Sequence, residues 1–195
     1  MPLIAREDSL LVVIDLQPRI WGDRLGEDDR RRAGQAGSRA AWLAATAAAL
    51  GIPAVVTEED PDRNGPTDQA VRAALPADVP VFTKPVFGLA GCPDIMAAIE
   101  STGRRTAVLA GFETDVCVTH SAVGLAEAGY RPVVAEDAIY SPFGAHEPGV
   151  TRLRDLGVEL ARCKAIYYDW LRTLAAVRAF EKDNPGLASP PGFSL

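Results

Sequence analysis

Three residues whose side chains could carry out nucleophilic catalysis lie where predicted strands end. Asp15 follows the apolar run 10–14, Lys84 follows the run 79–83, and Cys117 lies shortly after the run 106–110. A cysteine attacks as its thiolate, and its ordinary pKa of about 8.5 falls beside a cation or at a helix N-terminus. Lys84 could supply that cation, and Asp15 could take the thiol proton and return it to a leaving group. Taken singly, each has an ordinary structural explanation (a cap, a surface lysine, a small buried thiol), but together they favour nucleophilic catalysis.

The elements that must position these residues alternate between strands and helices. Strands are short apolar runs rich in branched side chains, and they are predicted at 10–14, 54–57, 79–83, 106–110, 131–135 and 158–161. Helices are predicted between them, with Gly51, Gly129 and Gly157 as stop signals; they cover an Ala-rich segment ending near 50, then 68–75, 93–100, 116–128, 147–156 and 166–180. This alternation predicts a three-layer α/β/α fold with a doubly wound, mostly parallel, six-stranded sheet.

In such sheets, ligands bind beyond the carboxyl ends of the strands. Because the three candidates all follow strands, we expect them to meet at that edge. Gln17 could orient Asp15, although a turn hydrogen bond would explain its position equally well. We expect the substrate pocket to be formed by Gln17 together with three aromatic residues on the same edge, for which core packing is the alternative: Trp21, Phe87 and Phe112.

Composition narrows the class of protein. The 195 residues predict one domain over 1–184, followed by a loose Pro/Gly/Ser tail over 185–195. A formal net charge of −6 argues against non-specific binding to nucleic acid or to a membrane surface. Three scattered cysteines do not form a disulfide framework. The segment 1–16 does not match a secretory signal, because Arg6, Glu7 and Asp8 precede its apolar run and no small-residue cleavage site follows. These features together favour a cytoplasmic protein.

Several common motifs are missing. The chain has no G-x-G-x-x-G after the first strand, no P-loop and no G-x-S-x-G, so dinucleotide-binding, nucleotide-hydrolysing and serine-hydrolase interpretations lose support. An aspartate phosphotransferase would want a second acid two residues after Asp15, and Gln17 occupies that place.

Asp15-Leu16-Gln17, Lys84 and the segment Gly111 to Val118 resemble the isochorismatase-like cysteine hydrolases, whose triad is Asp, Lys and Cys in that chain order. The Gly-x-x-Thr-x-x-Cys-Val segment is the specific part. The resemblance extends through 128–130, 136–138 and His146, and it covers about residues 8 to 175. Within the family, the chain is similar to members of unassigned substrate that carry the segments 57–59 and 65–67.

The resemblance implies a role for each matching residue. Cys117 would attack a carbonyl-type carbon and form a thioester, and Asp15 would act as general base and acid. Lys84 would lower the thiol pKa and steady the charged intermediate. The backbone N–H groups of Glu113 and Cys117 would form the oxyanion hole, and the Phe112–Glu113 peptide bond would be cis. The family also implies a homo-oligomer, a dimer or larger.

Two departures from the family's patterns matter. Nicotinamidases of the superfamily hold a metal through an Asp-x-His after the second strand, but here that stretch is Glu58 to Asp62, without histidine. We therefore expect no metal of that type and no other cofactor. A solvated acidic loop is the favoured interpretation of this stretch, and a hard cation bound by Glu58, Asp60 and Asp62 is the alternative. True isochorismatases cleave a vinyl ether without needing the cysteine, so Cys117 favours acyl chemistry on a C–N bond.

The leading hypothesis is a metal-independent cysteine hydrolase acting on a small amide or carbamoyl substrate. A non-catalytic relative that uses the same pocket for binding or assembly is the second hypothesis, and a true isochorismatase the third. His120 could pair with Cys117 one helical turn away, but the triad explains the pattern better. His146 is expected to fix a loop or to border the pocket.

Overall fold

The computed structural model describes residues 2–192. The bounds of the strands, in chain order, are β1 Ser9–Ile14, β2 Ala54–Glu59, β3 Val81–Lys84, β4 Thr106–Phe112, β5 Arg131–Tyr140 and β6 Glu159–Ala161. They form one sheet in the order β3-β2-β1-β4-β5-β6, and every neighbouring pair is parallel. The predicted doubly wound sheet is confirmed.

Helices cover both faces of this sheet. Their bounds are α1 Glu27–Ala49, α2 Pro61–Asn64, α3 Gln69–Ala74, α4 Pro93–Ser101, α5 Thr119–Glu127, α6 His146–Asp155, α7 Cys163–Leu171 and α8 Leu174–Asp183. A π-helical turn, Thr114–Val118, joins β4 to α5. The three-layer architecture follows because the central strands β1 and β4 are buried along their whole length and need helices on both faces of the sheet.

Alternate residues of β1 supply two separate hydrophobic cores. Leu11 and Val13 pack with residues of α1, α3, α7 and α8 on one side, called here the α1 face. Leu10, Val12 and Ile14 pack with residues of α4, α5 and α6 on the other, the α5 face. All six residues of β1 are buried, which explains why this strand is a continuous apolar run in the sequence.

The direction in which strands are added reverses between β1 and β4, and this is the point where doubly wound sheets bind ligands. The two strands are very close there. Gly111 has φ 126°, and a Cβ atom at this position would lie 1.9 Å from the carbonyl oxygen of Ile14. Only glycine allows this approach, so Gly111 brings the end of β4 against the end of β1.

The predicted elements differ from the structure at several places, and β5 extends to Tyr140, five residues beyond its predicted end. The predicted helix 166–180 is two helices, because Arg172 adopts φ 65° and the Thr173 hydroxyl then caps α8 by accepting from the Ala176 N–H. The predicted helix 116–128 begins as the π-helical turn. The third strand extends to Lys84, which pairs in register with Glu59.

The described part of the C-terminal tail packs on the domain. Leu187 packs against the core of the α1 face, and Arg39 Nε donates to the Pro191 carbonyl oxygen at 3.2 Å. Residues 185–192 of the predicted tail therefore contact the domain, while residues 193–195 lie outside the described residues. Within 2–192, no helix combines the length and the apolar character needed to cross a membrane.

Candidate active site

The alternation of side chains along the strands brings Lys84 to the α5 face. Phe82 packs against the core of that face, and Lys84 lies two residues further along β3. Cys117 belongs to the same core. Asp15 departs from the alternation, since it follows β1 with φ 45°, a conformation rarely adopted by residues other than glycine, asparagine or aspartate. The ends of three strands thus converge on one small volume.

The Lys84 ammonium group lies at the centre of this volume. Its Nζ is 2.6 Å from Asp15 Oδ2, 3.1 Å from the Val86 carbonyl oxygen and 3.4 Å from Cys117 Sγ. These three neighbours match the three N–H donors of an ammonium group. The side chains of Lys84 and Asp15 are fully buried, so this ion pair is held away from water.

Both oxygens of the Asp15 carboxylate have partners. Oδ1 accepts a hydrogen bond from the Thr57 hydroxyl at 2.8 Å, and Oδ2 faces Lys84. Burial raises the pKa of Asp15, and the opposing effects of Lys84 and Thr57 only partly offset it. Burial also disfavours the charged form of Lys84, but the Asp15 carboxylate outweighs this and the pKa of Lys84 is raised. Asp15 is therefore a stronger base than a surface carboxylate, beside a lysine that stays cationic.

Cys117 is buried within the π-helical turn, and hydrogen bonds from neighbouring elements hold that turn. The Ser141 hydroxyl donates to Asp115 Oδ1 at 2.6 Å, and the Thr119 hydroxyl donates to the Thr114 carbonyl oxygen at 2.7 Å. Such π-helical insertions are frequent at functional sites. The peptide bond between Phe112 and Glu113, immediately before the turn, is cis, as the resemblance implies.

The thiol of Cys117 differs from expectation in its acidity. Burial raises its pKa, the negative charges of Asp15 and Glu59 add to this, and the attraction of Lys84 opposes it without overcoming it. Lys84 thus lowers the thiol pKa as the resemblance implies, but burial and the two carboxylates outweigh it, so the pKa of Cys117 in the free protein is raised. The cysteine is a protonated thiol there, and it needs a base to become a nucleophile.

Glu59 is a fourth side chain at the site, and it was not among the predicted site residues. Its Oε2 lies 3.6 Å from Cys117 Sγ, within the distance allowed for a hydrogen bond from sulfur. The preceding Glu58 points the other way and accepts from the N–H and the hydroxyl of Thr67, each at 2.7 Å. Strand alternation from Val55, which packs on the α5 face, could have distinguished the two acids.

Gln17 holds the strand end that carries Glu59, and it is fully buried. Its Oε1 accepts from the Glu59 N–H at 2.8 Å, while its Nε2 donates to the carbonyl oxygens of Glu59 and Gly65 at 3.1 and 2.6 Å. These three contacts use the side-chain amide on backbone groups. Gln17 thus acts on Glu59, and not on the Asp15 carboxylate as the sequence suggested.

The three aromatic residues predicted for the pocket are divided between two cavities, and Gln17 lines neither of them. Phe87 lines a cavity of about 320 Å³ together with Glu59 and Lys84, so it borders the triad. Trp21 and Phe112 line a different cavity of about 360 Å³ next to α1, with ring centroids 4.6 Å apart. The Trp21 indole N–H also donates to the Glu113 carboxylate. Two of the predicted walls therefore belong to the α1 face, away from the thiol.

Neither histidine contacts Cys117. His120 is exposed, and its ring packs edge-on against Phe87 with centroids 5.9 Å apart. His146 Nδ1 lies 3.0 Å from the Thr114 hydroxyl and its ring packs against Tyr140, so it holds the loop that precedes Cys117. Burial lowers the pKa of His146, which favours the neutral ring.

Within residues 2–192, the one group of side chains close enough to share a metal ion is Asp15, Glu59 and Cys117, whose ligand atoms all lie within 4.8 Å of one another. The Lys84 ammonium already contacts Asp15 and Cys117, so a metal ion would have to compete with a built-in cation. The group therefore suits a lysine-centred site better than a metal centre.

The fold and the site together define an α/β protein with a cysteine, a carboxylate and a lysine at the switch point of its sheet. The family described as Isochorismatase domain matches residues 9–164, and the chain belongs to that family. Isochorismatase family protein 2B of Dictyostelium discoideum is 29% identical over 116 residues, which cover 54% of each chain. The chain matches between about a third and about half of the length of such curated relatives.

Solved structures share the fold across most of the chain. The structure described as MAR1 ribonuclease from Caenorhabditis elegans has a TM-score of 0.83 at 22% identity, covering 100% of this chain and 98% of its own. N-carbamoylsarcosine amidase from Thermoplasma acidophilum has a TM-score of 0.65 at 22% identity, covering 80% of this chain and 96% of its own. At these identities the likeness shows the fold alone.

Proposed function

We propose that the protein is a cysteine hydrolase that cleaves a C–N bond of a small amide or carbamoyl substrate through a thioester. The observation that carries the proposal is the position of the Lys84 ammonium group, 2.6 Å from the Asp15 carboxylate and 3.4 Å from the Cys117 sulfur. A base, a cation and a thiol in this order form an assembled nucleophile. The name of the amidase among its structural neighbours adds support for this bond class.

The geometry allows a balanced sequence of steps. Cys117 Sγ attacks the carbonyl carbon while its proton passes to Asp15, and the new oxyanion is held by the N–H groups of Glu113 and Cys117. The C–N bond then breaks, and Asp15 returns the proton to the leaving amine. Water attacks the resulting thioester, gives a proton to Asp15, and releases the acid; Asp15 then returns that proton to the sulfur. No metal takes part in any step.

The raised pKa of Asp15 suits this double role, because its carboxylate accepts a proton more readily than an ordinary aspartate and can later return it. Lys84 keeps its positive charge throughout, and it attracts the thiolate and the oxyanion as each one forms. The protonated thiol of the free protein is consistent with this scheme, since the proton moves only when a carbonyl carbon is in place.

The test combines turnover with detection of the covalent intermediate. Small primary amides and N-carbamoyl amines are screened for amine or ammonia release, and acid-quenched samples are searched for an acyl group on Cys117 by mass spectrometry. We expect Cys117→Ala to lower turnover by about a thousandfold or more, while Cys92→Ala, the matched control at a half-buried cysteine, retains it. Turnover that survives Cys117→Ala would contradict the thioester, and vinyl-ether cleavage without the thiol would support the isochorismatase alternative.

The homo-oligomer that the family resemblance implies belongs to this proposal as well. Sedimentation velocity at micromolar concentration distinguishes a monomer of 20.7 kDa from a dimer or larger assembly.

A further inference from the structure

The Glu59 carboxylate faces the nucleophile without a compensating cation of its own. Within residues 2–192, the Glu59 carboxylate has a hydrogen bond with one other side chain, that of Cys117, whose Sγ lies 3.6 Å from Oε2. Among residues 2–192, no lysine, arginine or histidine forms an ion pair with it. The nearby Lys84 ammonium is already engaged by Asp15, by a backbone carbonyl oxygen and by the thiol. A negative charge therefore remains beside the sulfur.

Glu59 also borders open space. It is half-buried, and it lines the cavity of about 320 Å³ that adjoins the triad. Phe87, 53% exposed, lines the same cavity, and an aromatic ring of this kind attracts organic cations. A carboxylate and an aromatic ring are thus available to one ligand in one cavity.

The strand end places this carboxylate firmly. Gln17 holds both the N–H and the carbonyl group of Glu59, so the backbone from which the side chain projects is fixed on both sides. A carboxylate held beside a nucleophile in this way restricts which substrates can approach it, because an anionic group there would meet uncompensated negative charge.

We propose that Glu59 selects substrates that carry an organic cation, an ammonium or guanidinium group, next to the bond that Cys117 attacks. The proposal rests on the proposed function, and it names the substrate class for that site. The cation would pair with Glu59 and lie against the Phe87 ring, which leaves the carbonyl carbon within reach of the sulfur.

The pairing would also assist the chemistry. The negative charge of Glu59 is one of the causes that raise the pKa of Cys117. The other charged groups that face the sulfur are Asp15, which acts in the same direction, and Lys84, which opposes them. A bound cation would cancel the Glu59 contribution, so the thiol would lose its proton more readily when the correct substrate is present.

Two thiol reagents of matched size and opposite charge test the selection directly. The probes are 2-aminoethyl methanethiosulfonate and 2-sulfonatoethyl methanethiosulfonate. With each, the thiolate attacks the sulfenyl sulfur, a disulfide forms and methanesulfinate leaves. The rate of modification at Cys117 is followed by peptide mass spectrometry. Each rate is divided by the rate of the same reagent with a free small thiol, which removes the intrinsic difference between the reagents. The result is compared with that at Cys92 in the same molecule.

We expect the cation-to-anion rate ratio at Cys117 to exceed the ratio at Cys92 by about tenfold. The unit negative charge of Glu59, 3.6 Å from the sulfur, is large enough for a preference of this size. Glu59→Gln should remove most of that preference. Asp60→Asn is the matched control, since it removes the same charge one residue further along at the edge of the same cavity, and it should retain most of the preference.

The outcomes separate the two proposals. Equal ratios in the wild type and Glu59→Gln, or a preference for the anion, overturn the cation selection and leave the cysteine hydrolase intact. An equal loss in Asp60→Asn overturns the assignment to Glu59. Failure of Cys117 to react with either reagent contradicts the proposed function and the cation selection together.

Discussion

The ends of β1 and β2 each bring one carboxylate to Cys117, and their surroundings differ. Asp15, after β1, is fully buried and has Lys84 and Thr57 as partners. Glu59, at the end of β2, is half-buried, and within residues 2–192 its carboxylate is hydrogen-bonded to the thiol alone. In the proposed function, the carboxylate with internal partners acts in catalysis, whereas the one that faces a cavity without a cation is available to a ligand. Two carboxylates beside the same nucleophile can therefore serve two different purposes.

Lys84→Met should have the largest effect, because it leaves the buried Asp15 carboxylate without its cationic partner. Breaking a buried ion pair by removing one partner costs about 3–5 kcal/mol, so we expect the free energy of unfolding to fall by that amount. Arg154→Met is the control, since its ion pair with Glu136 is largely exposed and worth about 1 kcal/mol or less. Urea denaturation measures both variants.

The double variant Asp15→Asn/Lys84→Met extends this test. Removing the buried charge together with its partner should recover much of the lost stability, as expected when two groups are coupled. Simple addition of the two single losses would show that Asp15 and Lys84 act independently, which the close ion pair does not predict.

Gln17→Leu tests how the Glu59 carboxylate is positioned. The change leaves the Glu59 N–H and the Gly65 carbonyl oxygen without their partner, while the Glu59 carbonyl oxygen keeps the hydrogen bond from Asn64 Nδ2 at 2.8 Å; a buried unsatisfied group costs about 1–3 kcal/mol. We expect a loss of about 2 kcal/mol in the free energy of unfolding and a weaker charge preference at Cys117. Gln35→Leu, on the exposed side of α1, is the control. An unchanged charge preference would mean that Glu59 is held by other contacts.

Alkylation of Cys117 by neutral iodoacetamide compares the two carboxylates on one scale. Asp15 and Glu59 both raise the pKa of the thiol, and Asp15 has the larger effect. Removing either charge should therefore lower that pKa and speed alkylation near pH 8. We expect about tenfold for Asp15→Asn and a smaller increase for Glu59→Gln, since one pKa unit is a factor of ten in thiolate. Slower alkylation in Asp15→Asn would show that its pairing with Lys84, and not its charge at the sulfur, controls the thiol.

Most of the fold could be predicted from the sequence, because buried parallel strands are short, continuous apolar runs that favour a strand over a helix. Asp15, Lys84 and Cys117 were found by the same logic, since each lies at or after the end of a strand. Glu59 could not be separated from its acidic neighbours Glu58 and Asp60 by composition. Only the face on which each side chain lies distinguishes them, and a shift of one residue in the strand end reverses that assignment.

The pKa shift of Cys117 could not be predicted from the sequence, for a different reason. A nearby lysine and a helix start both predict a lowered thiol pKa, but the depth of burial and the distances to two carboxylates decide the outcome. The break at Arg172 shows the same limit, because no glycine or proline marks the end of α7.

Trp21→Phe carries the smallest expected effect, and it concerns a third carboxylate, that of Glu113. The substitution removes the indole N–H that donates to this carboxylate but keeps the ring against Phe112. Burial raises the pKa of Glu113, and the nearby charges of Asp115 and Glu59 add to this, while the Trp21 hydrogen bond opposes it. We expect a loss of about 1 kcal/mol in the free energy of unfolding near neutral pH.

The pH dependence of that loss identifies its cause. The indole N–H favours the ionised carboxylate, so the loss should shrink as the pH falls and Glu113 takes up a proton, at a higher pH than an ordinary glutamate. Trp170→Phe is the control, because its indole donates to the neutral Ser9 hydroxyl at 3.0 Å and its cost should not follow this titration. A loss that stays constant with pH in Trp21→Phe would assign the effect to packing against the α1 face. Cys117 should keep its charge preference in this variant, since Trp21 lines the other cavity.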